Sequence, residues 1–148
     1  MKKLLAAILS LSLAAASLAG CGASGVPAAD SSSKSSSDKA YKIGVVQLVE
    51  HAALDSAYQG FVDGLKEAGY EDGKNIAIDY QNAQNEQANC NTIASKFVND
   101  RDDLILAIGT PAAQAVANAT TKIPVLVTAV TDPANAKLVA SNEAPGGN

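Results

Sequence analysis

Four short apolar runs rich in β-branched residues alternate with segments whose apolar residues recur at helical spacing, and few architectures accept that order. Tyr41 to Val49 contains Ile43, Val45, Val46, Leu48 and Val49, as expected of a strand buried on both faces. Leu54, Ala57, Phe61, Leu65 and Ala68 then follow at helical spacing. Asp55 lies in the first turn of that helix, where a negative charge favours the dipole, and Gly69 supplies the stop. The second unit repeats the pattern. A short strand, Asn75 to Tyr80, follows the Asp72-Gly73 turn, and a helix from Glu86 to Asn99 turns Ile93, Ala94, Phe97 and Val98 inward. Cys90 shares that face and reads as a small buried hydrophobe. Asp100 to Asp103 form a charged, solvated turn. Leu104 to Ile108 is the third strand. Gly109-Thr110-Pro111 leads into an Ala-rich helix ending near Ala119, with Thr110 suited to the cap and Pro111 to the first helical position. Ile123 to Ala129 is the fourth strand, and Val130-Thr131-Asp132-Pro133 turns into a last short helix ending near Ala140.

Four strands and four helices in alternation predict an α/β fold, a Rossmann-like parallel sheet with right-handed crossovers and helices on both faces. The expected strand order is 2-1-3-4, which puts a topological switch point between the first and third strands. The folded part, residues 41–148, is long enough for one domain and its core but not for two.

The chain ahead of that domain has a different character. Met1-Lys2-Lys3 is a short positive start, Leu4 to Ala19 is nearly all Leu, Ala, Ile and Ser, and Leu18-Ala19-Gly20-Cys21 closes the run. That order is a secretory signal peptide, and the cysteine at its end makes it resemble a bacterial lipobox, with Cys21 as the lipidated residue. An uncleaved transmembrane helix is the competing reading. The run is shorter than the roughly 20 apolar residues that span a bilayer, and no positive stop-transfer cluster follows. Several acyl chains, at about 0.8 kcal/mol per buried methylene, would hold the protein firmly to a membrane. Residues 1–20 thus read as a lipoprotein signal peptide and 21–40 as a Ser-rich flexible tether. The domain would be extracytoplasmic and lipid-anchored to the cell membrane, in the periplasm of a Gram-negative cell.

Charge and cysteine usage exclude several functions. Without residues 1–20 the chain carries nine basic against fifteen acidic residues, and no basic cluster. It is therefore no nucleic-acid binder. With Cys21 assigned to lipid, Cys90 alone cannot make an internal disulfide or a cysteine-based zinc site, and His51 is the only histidine. No metal and no cofactor is expected.

Ligands of open α/β sheets bind outside the carboxyl ends of the strands, near the switch point. Three segments fall there, Gln47 to Asp55, Gly109 to Gln114, and Thr128 to Pro133. They bring Gln47, Glu50, His51, Asp55, Thr110, Gln114, Thr128, Thr131 and Asp132 to one edge of the sheet. Thr110, Asp55 and Asp132 would also suit plain helix capping. Gly109 lets a ligand approach the backbone, and the Thr110 hydroxyl with the amides of Ala112 and Ala113 suits a small anion such as a carboxylate. No Gly-x-Gly-x-x-Gly pattern or P-loop lysine is present, which argues against a dinucleotide or nucleoside phosphate. Glu50, Asp55 or Asp132 could receive an ammonium group, so the set suits an amino acid zwitterion. An enzyme is a poor fit. No nucleophile elbow exists, and His51 with Glu50 or Asp55 has no activated nucleophile beside it.

These residues also carry a resemblance. The lipobox, Ile43-Gly44-Val45-Val46-Gln47 with Glu50-His51 and Leu54-Asp55, Gly60-Phe61 with Leu65-Lys66-Glu67-Ala68-Gly69-Tyr70, Ile108-Gly109-Thr110-Pro111-Ala112-Ala113-Gln114, and Thr131-Asp132-Pro133-Ala134 resemble the substrate-binding lipoproteins of ABC importers. The likeness is to the group that includes the tryptophan- and tyrosine-binding proteins. The resemblance implies a type I periplasmic-binding fold of two lobes closing on a ligand at a hinge, an aromatic amino acid as ligand, and an ABC permease in the membrane as partner. It implies ligand-binding positions at Gln47, Glu50, His51 and Asp55, at Thr110, Pro111 and Ala112, and at Thr131 and Asp132. A lipoprotein that senses its ligand and signals to a membrane receptor is the alternative. Members of the group have a second lobe of comparable size, so this chain reads as an N-terminal lobe alone, from a truncated or incompletely sequenced protein, and weak ligand binding is expected of it.

Overall fold

A computed structural model describes residues 40–148. The expected signal peptide, Cys21 and all but the last residue of the expected tether lie outside the described residues. In chain order the elements are β1 (Tyr41–Gln47), α1 (Ala52–Glu67), β2 (Ile76–Asn82), α2 (Gln87–Asp100), β3 (Leu104–Ile108), α3 (Thr110–Ala119) and β4 (Val125–Thr128). All strand pairs are parallel and the order is β2-β1-β3-β4. β1 therefore lies at the centre, and the switch point falls between its carboxyl end and that of β3, as the sequence predicts.

The strand faces alternate and sort the core into two layers. Ile43, Val45, Leu106 and Ile108 point to one face, where Leu54, Tyr58, Phe61 and Leu65 of α1 pack on them. Val46, Ile105 and Ala107 point to the other, against Cys90, Ala94 and Phe97 of α2 and Ala112, Ala113 and Val116 of α3. Cys90 is buried, as its helical position implies. The Ala-rich face of α3 fits here because small side chains let two helices share one side of a narrow sheet.

Helix ends follow local chemistry. α1 ends where Gly69 adopts φ +88°. The Tyr70 N–H donates to the Leu65 carbonyl at 2.8 Å and the Gly69 N–H to Lys66 at 3.0 Å, a Schellman closure. Three expectations are corrected. Thr110 is not the cap of α3. Gly109 takes that position, and Thr110 is the first helical residue. The fourth helix does not form. After one turn, marked by Ala136 N–H to Asp132 at 2.9 Å, Lys137 goes left-handed at φ +59° and the Leu138 N–H closes on Pro133 at 2.9 Å. This second Schellman closure directs Leu138 toward the core under α3. The turn at 100–103 is not wholly solvated either, for Asp102 is buried against Gly44 and Phe97.

Candidate functional site

The carboxyl ends of β1, β3 and β4 are linked by backbone hydrogen bonds that continue past the ladder. The Leu48 N–H donates to Ile108 at 3.0 Å, and the Gly109 N–H to Thr128 at 3.0 Å. The first two of the three polar segments expected at the switch point, and the start of the third, are thus held side by side.

Gln47, the last residue of β1, is fully buried. Its Nε2 donates to the Val49 carbonyl at 3.0 Å and to Asp55 Oδ1 at 2.7 Å, while its Oε1 is buried without a partner. Turning the amide over would face its oxygen toward the Asp55 carboxylate, so this orientation is the one chemistry allows. Gln47 thereby fixes the position of Asp55, which stays exposed in the first turn of α1.

His51 is the N-cap of α1, in extended conformation (φ −160°, ψ 135°), and its Nδ1 accepts from the Ala53 N–H at 3.2 Å. That assignment leaves Nε2–H directed away from the cap. Glu50 precedes it and is exposed. At α3, the Ala113 N–H closes the first turn on Gly109 at 3.0 Å, so it is not free for an anion. Pro111 has no N–H, which leaves the amides of Thr110 and Ala112 as the unspent donors of this helix start. Gly109 adopts φ +101°, and a Cβ there would lie 3.1 Å from Leu48 Cβ. The positive φ favours glycine, and a larger residue would also make Leu48 give by a few tenths of an ångström.

Thr131 and Asp132 stand farther out, beyond the end of β4. Asp132 Oδ1 accepts from the Asn135 N–H at 3.1 Å and from Asn142 Nδ2 at 3.3 Å. The Asn135 amide, then Asn142, hold its carboxyl below the ordinary carboxylate range. Asp132 therefore stays ionised, with its Oδ1 spent on its own turn. Gln114 likewise donates to the Ala136 carbonyl at 3.0 Å.

The loop after β2, which is not among the three candidate segments of the sequence, also joins this edge of the sheet. Gln84 and Asn85 are consecutive left-handed residues at φ +54° and +62°, and the Asn85 N–H donates to the Leu48 carbonyl at 2.7 Å. Asn85, an amide residue tolerant of left-handed backbone, was the available signal. The Tyr58–Tyr80 ring pair, 4.6 Å between centroids, lies close by. Burial first, then the negative charge of Asp55, raises the Tyr80 hydroxyl above its usual value. An apolar cavity of about 230 Å³ between Leu65, Tyr70, Ile76 and Leu104 opens at the opposite edge of the sheet and shares no residue with these loops. Among the described residues, no group of three or more His, Cys, Asp or Glu side chains is placed to hold a metal ion.

Comparison with known proteins matches residues 42–148 to a family described as ABC transporter substrate binding protein. A curated relative, the tyrosine-binding protein of Clostridioides difficile, is 51% identical over 99% of this chain and 43% of its own length. Among solved structures, the ligand-free, open form of a substrate-binding protein with adhesive properties from Clostridium difficile is 56% identical at a TM-score of 0.71, covering 72% of this chain and 36% of that one. A Streptococcus pneumoniae domain in complex with L-Trp is 44% identical at a TM-score of 0.71, covering 74% of this chain and 37% of the other. The chain spans less than half the length of each of these relatives.

Proposed function

Because the chain belongs to the ABC transporter substrate-binding protein family, we propose that it supplies one wall of the ligand cleft in an extracytoplasmic solute-binding protein. A second lobe closes on that wall, and the complete protein delivers an aromatic amino acid to an ABC permease in the membrane. The observation that carries this reading is the junction at the carboxyl ends of β1 and β3, where the Leu48 N–H to Ile108 bond holds the loop bearing Glu50, His51 and Asp55 beside the start of α3. The named ligands of the relatives, tyrosine and L-Trp, supply the aromatic part.

In this reading the Thr110 and Ala112 amides hold the ligand carboxylate, with the helix dipole favouring the negative charge. Pro111 fixes the backbone between them. Asp55 and Glu50 receive the ammonium group, and Gln47 keeps Asp55 aimed. His51 offers Nε2–H, and Thr131 and Asp132 line the outer rim. The protein binds and releases without chemistry. Cys21 carries the lipid that keeps it at the membrane, and residues 21–40 are the tether.

The test is to express the complete protein, identify co-purified small molecules by mass spectrometry and titrate L-tyrosine and L-tryptophan by calorimetry. Micromolar or tighter binding of either supports the proposal. A sugar or nucleotide in the cleft would overturn it.

A further inference from the structure

The loop after β2 makes none of the ligand contacts proposed above, yet its backbone is tightly constrained. Two consecutive non-glycine residues in the left-handed region persist only where their surroundings over-determine them. Here four hydrogen bonds do so. Asn82 Oδ1 accepts from the Gln84 N–H at 2.7 Å, and Asn89 Nδ2 donates to the Ala83 carbonyl at 3.1 Å. The Ala83 N–H donates to Gln47 at 2.8 Å, and the Asn85 N–H to Leu48 at 2.7 Å.

Leu48 is the residue on which these constraints converge. It lies one step past the end of β1. Its carbonyl is held from the β2 side by Asn85 and its N–H from the β3 side by Ile108. Its side chain fills the space over Gly109 that a Cβ would need. A shift of Leu48 would displace the loop carrying Glu50 and His51 and would press on the start of α3, where the Thr110 and Ala112 amides lie.

We propose that Asn85 is a positioning residue for ligand binding, acting through Leu48 on both loops that flank the switch point. Its contribution is its left-handed backbone and the N–H that this conformation aims, not its carboxamide. The proposal rests on the ligand-binding reading above, and the experiment separates the two.

In the complete protein, Asn85→Gly keeps the N–H and adopts positive φ freely, whereas Asn85→Val resists that region, and Asn85→Ala does so more mildly should the valine variant fail to fold. Affinity for L-tyrosine and L-tryptophan is measured well below each variant's melting temperature, where a merely structural role leaves it unchanged. The expected result is a glycine variant within about threefold of the parent and a valine or alanine variant weakened about tenfold or more. A folded valine or alanine variant with parental affinity would overturn the proposal. So would a glycine variant as weak as the valine one, which would place the effect in the carboxamide. Amide hydrogen exchange without ligand provides a second readout. Faster exchange at Leu48 and Gly109 in the valine or alanine variant, absent in the glycine variant, supports the coupling, and unchanged exchange refutes it. If the parent binds neither amino acid, the ligand assignment fails while the exchange measurement still decides the positioning.

Discussion

At Gly44, in the middle of β1, a Cβ would meet Asp102 Oδ2 at 2.5 Å and the Phe97 ring at 2.6 Å. Neither neighbour can retreat, since Phe97 is fully buried and Asp102 is 8% exposed. Gly44→Ala therefore forces α2 off the sheet and should cost about 3 kcal/mol, read as a melting temperature lower by roughly 10 °C or more. Asp102 itself has a buried Oδ2 without a partner. Burial first, then the charges of Asp100 and Asp79, push its carboxyl from 3.8 up to about 6, against the opposing pull of Lys96 and Lys42. The folded state thus holds a proton that the unfolded chain releases between those values. Stability falls as pH rises from about 4 to 6 and stays lower above. Asp102→Asn should remove that part of the pH dependence and stabilise the domain by about 1–2 kcal/mol at pH 7, which thermal melts across pH 4 to 8 would check. A parent and variant with the same pH profile would contradict it.

His51 serves α1 as a cap, which its place in the sequence did not announce. Histidine is a weaker cap former than serine or asparagine. His51→Ala should cost about 1 kcal/mol of stability, whereas His51→Ser should keep the cap. If the imidazole also touches ligand, both variants lose affinity in the complete protein while only the alanine variant melts early. Equal affinity for the serine variant and the parent would confine His51 to capping. The elements were largely legible because β1, β3 and β4 carry apolar runs and α1 and α2 a helical stripe. β3 matches Leu104 to Ile108 without adjustment. The signals failed where tertiary bonds overrule local preference. Lys137 is left-handed although lysine carries no such bias, and so the last helix stops after one turn. Likewise Asn85 and Leu48 lie far apart in sequence, and only the β1–β2 pairing brings them together. At the site, the cluster of loops followed from strand order. The division of labour between Gln47, which holds, and Asp55, which is held, needed the hydrogen bonds.

For the whole molecule, the ligand question is one of enclosure. Pockets for small molecules bury about 70–90% of a ligand's surface, and a single open wall covers much less. Residues 41–148 alone should therefore bind tyrosine or tryptophan about a hundredfold or more weakly than the complete protein. Calorimetry on both would check this, and comparable affinities would mean that the second lobe adds little. The outer side of the sheet fits the same picture. β4 is an edge strand with Leu126 48% and Val127 38% exposed, apolar surface that a longer protein could use for packing.

The parallel pairing has a kinetic consequence. No strand of this sheet can be matched by a hairpin, since each neighbour lies beyond a helix. The centre of the sheet cannot close until Ile43 finds Leu104, on the far side of α1, β2 and α2. Such distant pairings pay loop-closure entropy before contacts repay it, so they form slowly. A nascent chain of this kind remains unfolded while most of it is still being made. Under the extracytoplasmic placement proposed above, that delay would suit a polypeptide that threads a secretion channel before it folds.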